Sequence, residues 1–200
     1  MGKLTNDLIT RVANELHLEP ALLKAVKLVE SGGRDGFFIN GDPQILFEGH
    51  VMFSELKKKF NLEVAKGEAE ANPTLVYRNW TKAHYKGGIA EYSRLNEARK
   101  IDDECALKAT SWGMFQIMGF NHKLCGCKTV WDFVEKVSTS HEQQLKLMFY
   151  FLNNSGSLKY LKEHDWKGFA KRYNGPRYFE NAYDQKLMNA YYNYKQHENK

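Results

Sequence analysis

Apolar residues recur at helical spacing along most of this chain, and glycine or proline punctuates the segments. Residues 5–17 carry Leu8, Ile9, Val12, Ala13 and Leu16 on one face, with Thr5 or Asn6 placed to cap the helix. Pro20 opens a second helix, largely buried, in which Leu22, Leu23, Val26 and Val29 repeat. Gly32 and Gly33 end it, because glycine tolerates the left-handed backbone that terminates helices. Asn40-Gly41 lies between two apolar runs and predicts a hairpin or tight turn, the main β structure expected.

Residues 51–60 read as a helix with Met52, Phe53, Leu56 and Phe60 on one face. Residues 61–88 show no clear period, apart from turns at Asn72-Pro73 and Gly87-Gly88 and a short helix over 81–85. Helices are then predicted over 89–101, 102–111, 129–138, 139–153, 157–164 and 165–174, with a long final one over 177–195. The pattern holds no repeat and no linker. It predicts one mainly α domain spanning 1–200, with a small β-hairpin and no second module.

Composition changes this picture little. At 42% hydrophobic and 26% charged, the chain is an ordinary globular protein with enough residues for a real core. A net charge of +5 favours approach to anionic polymers without choosing among them, and no run of five like charges predicts a nucleic-acid tail. No apolar run reaches transmembrane length, and the first residues lack the apolar core of a secretory leader. Cys105, Cys125 and Cys127 are too few for a disulfide framework and suit synthesis in a reducing cytosol.

The candidate chemistry centres on Glu30. A carboxylate in the last turn of a helix faces the negative end of the dipole. Backed by an apolar face, it should hold its proton near neutrality, as a general acid must. Read by position alone, it is more often a surface glutamate preceding a helix stop. His141-Glu142-Gln143-Gln144-Leu145 starts like a zinc-protease helix but lacks the second histidine. His122, Cys125 and Cys127 are close in sequence, yet no Cys-x-x-Cys pair supports a metal site. No phosphate loop and no Gly-x-Ser-x-Gly elbow is present.

Glu30-Ser31-Gly32, Gly113-Met114-Phe115-Gln116-Ile117 and Tyr173-Asn174-Gly175-Pro176, in that order, resemble the lysozyme superfamily, goose-type lysozymes and lytic transglycosylases above all. Ile45-Leu46-Phe47-Glu48-Gly49-His50, residues 111–122 and residues 172–176 are similar to the N-acetylmuramidase family of phage and prophage endolysins. The similarity runs from about Leu16 to Tyr192, with Gly-Met-Phe-Gln where the superfamily has a Gly-Leu-Met-Gln-like segment.

The resemblance implies a lysozyme-like fold and cleavage of peptidoglycan glycan strands between N-acetylmuramic acid and N-acetylglucosamine. It implies Glu30 as the catalytic acid. Glycoside hydrolysis usually enlists a second carboxylate, whose distance from the acid sets the stereochemistry. Glu48 is the candidate, since the Asn40-Gly41 turn can fold its strand back beside the end of the Glu30 helix; Asp35 and Asp42 stand in reserve. Glu48 is also readable as the N-terminal charge of the next helix.

Gln116, Tyr173 and Asn174 are expected to bind sugar, although Tyr173 also suits the core beside Phe169. Ser31 either orients Glu30 or ends its helix, and His50 either lines the cleft or starts a helix. Trp112 and Phe115 are stacking candidates whose commoner fate is burial. The implied protein is a monomer that acts on peptidoglycan without metal or organic cofactor, binds no nucleic acid and does not insert stably into membranes. It is stored in the host cytoplasm and reaches the wall after holin-dependent release. Rival readings are a lytic transglycosylase leaving 1,6-anhydro ends, a secreted bacterial effector of the same chemistry, and a non-catalytic glycan-binding or virion module.

Overall fold

The computed structural model describes residues 4–198, and the chain forms two compact units. The first comprises residues up to Asp35, Leu124–Gly126 and those from Ser140 onward; the second comprises Gly36–Lys123 and Cys127–Thr139.

The first unit is built around helix α2 (Pro20–Ser31), which buries Ala21, Leu22, Leu23, Ala25 and Val26. Helix α1 (Asn6–Glu15) packs against it, buries Ile9, Val12 and Ala13, and is capped by the Thr5 hydroxyl accepting from the Leu8 N–H at 3.1 Å. Helices α8 (His141–Asn154), α9 (Leu158–Lys162), α10 (Trp166–Asn174) and α11 (Tyr183–Glu198) follow in the chain. Helix α11 lies along α2, and α10 packs on α9 and α11. The predicted final helix is thus interrupted: a 3-10 turn over Tyr178–Asn181 and a left-handed Ala182 precede its regular part.

Glu19, immediately before α2, receives the Tyr191 hydroxyl and the Lys195 ammonium, both at 2.8 Å, and lies 3.2 Å from His164 Nε2. Lys195, above all, holds its carboxyl below the usual range. The start of α2 is therefore clasped by α11.

The second unit combines helices α3 (Gly49–Lys59), α4 (Leu62–Ala71), α5 (Glu91–Ile101), α6 (Asp103–Lys108) and α7 (Val130–Thr139) with a small antiparallel sheet. Its strands are β1 (Ile45–Phe47), β2 (Thr110–Trp112) and β3 (Ile117–Met118), in the order β1-β2-β3. Ile45 pairs with Trp112 and Phe47 with Thr110, while Trp112 pairs with Ile117. The mainly α architecture with a small β-hairpin matches the sequence reading.

Three local features depart from the sequence reading. The Asn40-Gly41 turn forms but carries only one bridge, Phe37 to Pro43; the sheet itself recruits residues 110–118. Helix α4 lies in the stretch without a visible period, because Ala65 is its only buried residue and no apolar stripe marks it. Residues 81–85 form a turn rather than a helix. Among the described residues, no helix is long and apolar enough to cross a membrane.

Candidate active site

Glu30, Ser31, Tyr173 and Asn174 belong to the first unit, and Glu48, His50 and Gln116 to the second. In the first, Glu30 occupies the last turn of α2, one residue before its end. Gly32 (φ 55°) and Gly33 (φ 86°) turn the chain away in left-handed conformations. The Ser31 hydroxyl accepts from the Gly33 N–H at 3.1 Å and is fully buried. This contact fits the helix-ending reading of Ser31.

Glu30 as a residue is half-buried, but its Oε1 is shut off from solvent without a hydrogen-bond partner. Burial pushes the carboxyl up to about 7, against the opposing effects of a hydrogen bond from Tyr173 and the nearby Arg34 charge. Tyr173 is held for this contact by aromatic packing. Its ring stacks on Phe169 at 5.3 Å and on Tyr183 at 6.2 Å, and Phe151 meets it edge-on at 6.1 Å. Burial and the neighbouring Glu30 charge raise the Tyr173 phenol, so at neutral pH it is a donor. Tyr173 thus packs with Phe169, as its core reading expects, and also faces the Glu30 carboxyl. Asn174, the last residue of α10, is exposed.

In the second unit Glu48 is the residue capping α3, yet its side chain makes no capping hydrogen bond. Its Oε2 instead accepts from the Tyr85 hydroxyl and lies 3.4 Å from His50 Nδ1, itself buried without a hydrogen-bond partner. Burial, then Glu48, raises the Tyr85 phenol, again leaving a donor. Gly49 is required by close approach: a Cβ there would stand 2.2 Å from the Tyr77 ring and 2.6 Å from the Leu75 carbonyl oxygen.

Tyr85 was not foreseen, nor was the pair that positions it. Glu91 and Arg94, one turn apart on α5, form a buried ion pair at 2.8 Å. Glu91 also accepts from the N–H groups of Lys86 (2.6 Å), Gly87 (3.0 Å) and Phe47 (3.4 Å), and Arg94 donates to the carbonyls of Phe47 and Thr74. The Arg94 guanidinium lies over the Phe47 and Tyr85 rings at 5.0 and 5.6 Å. This pair fixes the strand before Glu48 and the loop after Tyr85 to one helix. In the sequence the only signal was an i,i+3 charge pair, ordinarily a surface feature.

Gln116 lies in the β2–β3 turn with φ 50°, and its amide is largely committed. Nε2 donates to the carbonyls of Gln44 (3.1 Å) and Gly113 (2.8 Å), and Oε1 accepts from the Ser111 hydroxyl at 3.0 Å. Both donors are used and one lone pair of Oε1 remains. Gln116 thus braces the turn, leaving less for a sugar than expected. Trp112 and Phe115 are buried, the commoner fate of such residues. The reserve carboxylates have local partners: Asp35 bonds His141 Nε2 at 2.8 Å, and Asp42 accepts from the Asn40 amide at 2.7 Å.

Cys105, Cys125 and Cys127 are buried thiols outside any disulfide, and burial raises Cys127 to about 11. His122 is also buried, with Nδ1 3.1 Å from the Gly119 carbonyl oxygen. Among the described residues no cluster of three His, Cys, Asp or Glu side chains is arranged for a metal.

Chemically, the first unit offers a carboxyl that burial keeps partly protonated near neutrality, with a phenol that donates to its charged form. The second offers a carboxylate flanked by a phenol and an imidazole. In comparison with known proteins, the family model for N-acetylmuramidase matches residues 19–195. The crystal structure of the Burkholderia AP3 phage endolysin superposes with a TM-score of 0.84 at 39% identity, covering 97% of this chain and 72% of that one. No curated protein sequence matches.

Proposed function

This chain belongs to the N-acetylmuramidase family, and from that premise we propose that Glu30 is the general acid in cleavage of the β-1,4 bond between N-acetylmuramic acid and N-acetylglucosamine. The chain is a glycoside hydrolase that acts on peptidoglycan. The observation that carries the Glu30 assignment is the burial of its Oε1 without a partner at the end of α2, which pushes the carboxyl up to about 7 beside Tyr173.

A carboxyl of that acidity is about half protonated at neutral pH and transfers its proton readily to the glycosidic oxygen as the C–O bond breaks. The electron pair of that bond leaves with the oxygen, and positive charge develops on the sugar carbon. The Glu30 carboxylate left behind is stabilised by the Tyr173 hydroxyl, which donates best to the charged form. Glu48 is the second carboxylate in this reading, either as nucleophile or as base for the attacking water. Its hydrogen bond from Tyr85 holds the side chain in place for either role.

His50, beside Glu48, and Asn174, exposed at the end of α10, are proposed to contact the glycan. Gln116 contributes through its remaining Oε1 lone pair and by holding its turn, and Ser31 by ending the helix under the acid. The likeness to a phage endolysin extends the proposal to lysis of a bacterial host from within, after holin-dependent release to the wall.

The deciding experiment is mass spectrometry of the products from purified peptidoglycan, with wild type beside Glu30→Gln and Glu48→Gln. Reducing muramic-acid ends that disappear in Glu30→Gln support the assignment, with turnover expected to fall about 10²- to 10⁴-fold. Anhydro-muramic ends, or full activity in Glu48→Gln, would instead place the chemistry with one-carboxylate transglycosylation. No product from wild type would leave a binding module.

A further inference from the structure

A cavity of about 260 Å3 in the second unit has neither Glu48 nor His50 in its lining. Glu91 and Arg94 on one face of α5 bond toward Phe47 and Thr74. Tyr92, Leu95, Asn96 and Arg99, spaced i, i+3, i+4 and i+7, line the cavity from another face. Trp131 of α7, the buried Trp112 and Asp42 complete the lining that matters here.

We propose that this cavity is an accessory saccharide site that holds one N-acetylhexosamine ring of a glycan strand.

Three observations support it. Trp131 is 46% exposed, a large apolar surface for a polar protein to leave open. Its ring is nevertheless fixed, since the indole Nε1 donates to Asp103 Oδ2 at 2.6 Å. The other oxygen of the same carboxylate binds Arg99 Nε at 2.5 Å, so one anion orients both the aromatic platform and the guanidinium. A platform already held in place loses little side-chain freedom when a ligand lands on it.

The chemistry of the lining selects the ligand class. A pyranose offers an apolar C–H face to an indole and a ring of hydroxyls at its edge. Asp42 only accepts hydrogen bonds, Arg99 only donates, and Asn96 does both. That mixture suits a neutral polyol with an acetamido group. The carboxylates of Asp42 and Asp103 disfavour an anion, and Arg99 disfavours a cation. The volume lies at the small end for ligand sites, fitting one ring rather than an extended chain.

The inference rests on peptidoglycan as the substrate, so its test reads binding rather than turnover. The ¹⁵N-labelled full chain is titrated with N-acetylglucosamine and the indole N–H signal of Trp131 is followed, assigned by Trp131→Phe. A saturable shift of that signal is expected. In parallel, co-sedimentation with insoluble peptidoglycan is measured for Trp131→Ala and for the exposed Asn96→Ala. Binding should weaken about fivefold in Trp131→Ala, the scale of one aromatic contact. Both variants should keep wild-type turnover on a short soluble glycan.

An unmoved Trp131 indole, or co-sedimentation of both variants equal to wild type, overturns the proposal. Wild-type protein that hydrolyses nothing while the indole still shifts refutes the catalytic reading and leaves this one standing.

Discussion

Replacing Glu30 by Gln removes the charge that the buried end of α2 resists, and the effect on stability is calculable. The unfolded carboxyl titrates near 4.5 and the folded one near 7. An acid whose folded pKa is raised favours the folded state while it is protonated. Below pH 4.5 that contribution is complete; as pH rises toward 7, the unfolded chain releases its proton first and stability falls. The interval amounts to about 3 kcal/mol, at about 1.4 kcal/mol per decade of proton affinity. Gln has no proton to lose, so it escapes this cost, and its amide can still accept from Tyr173. The assay is urea unfolding of both proteins at pH 4, 6 and 8.5, read by tryptophan fluorescence. The stability of Glu30→Gln relative to wild type should rise by about 3 kcal/mol from pH 4 to 8.5. All other titrating groups cancel in the comparison. Parallel pH profiles would show a carboxyl of ordinary acidity, and the physical basis for Glu30 as a proton donor near neutrality would be gone.

Tyr173→Phe removes a donor that favours the Glu30 carboxylate, so the acid's pKa should rise above 7 and the alkaline limb of the pH–kcat profile should move upward. A limb that stays or moves down contradicts the assigned hydrogen bond. Glu91→Ala leaves Arg94 as an unpaired buried charge and should cost about 3–5 kcal/mol in urea unfolding. Less than about 1 kcal/mol would mean the pair does not hold its loop. Gly49→Ala drives a methyl into Tyr77 and Leu75 and should destabilise by about 1–3 kcal/mol. Gly67→Ala in α4, where the added Cβ meets open space, should stabilise by about 0.5–1 kcal/mol, and calorimetry of the two variants should give Tm shifts of opposite sign.

The helices whose apolar faces are buried were legible in the sequence, as α1 and α2 illustrate. A period of 3.6 is a local signal and survives without knowledge of the partner. Helix α4 was not legible, because a helix that buries only Ala65 writes no stripe; its Asn61 cap was the one available sign. The sheet was misplaced for a different reason. Two- and three-residue strands carry no period, and the pairing of Ile45 with Trp112 joins segments far apart in the chain.

The site divides along the same line. The buried setting of Glu30 was readable because its helix, its stop and its apolar backing are contiguous. Tyr85 was not, since its place beside Glu48 depends on the buried pair Glu91–Arg94 and on a loop with no regular structure. Gln116 was read as free for sugar, but a positive φ in a tight turn brought its amide onto Gln44 and Gly113.

The clasp on both ends of α2 has a consequence for the timing of synthesis. Glu30 leaves the ribosome some 140 residues before Tyr173, which bonds it, and still further before Tyr191 and Lys195, which hold Glu19 at the start of its helix. A growing chain therefore carries the glutamate long before it carries the surroundings that tune it. Until the C-terminal helices have docked, that side chain is an ordinary carboxylate with ordinary acidity. The raised pKa of Glu30 thus develops only after Tyr173 has been made and docked, so a chain cut short of that residue holds the glutamate without the shift.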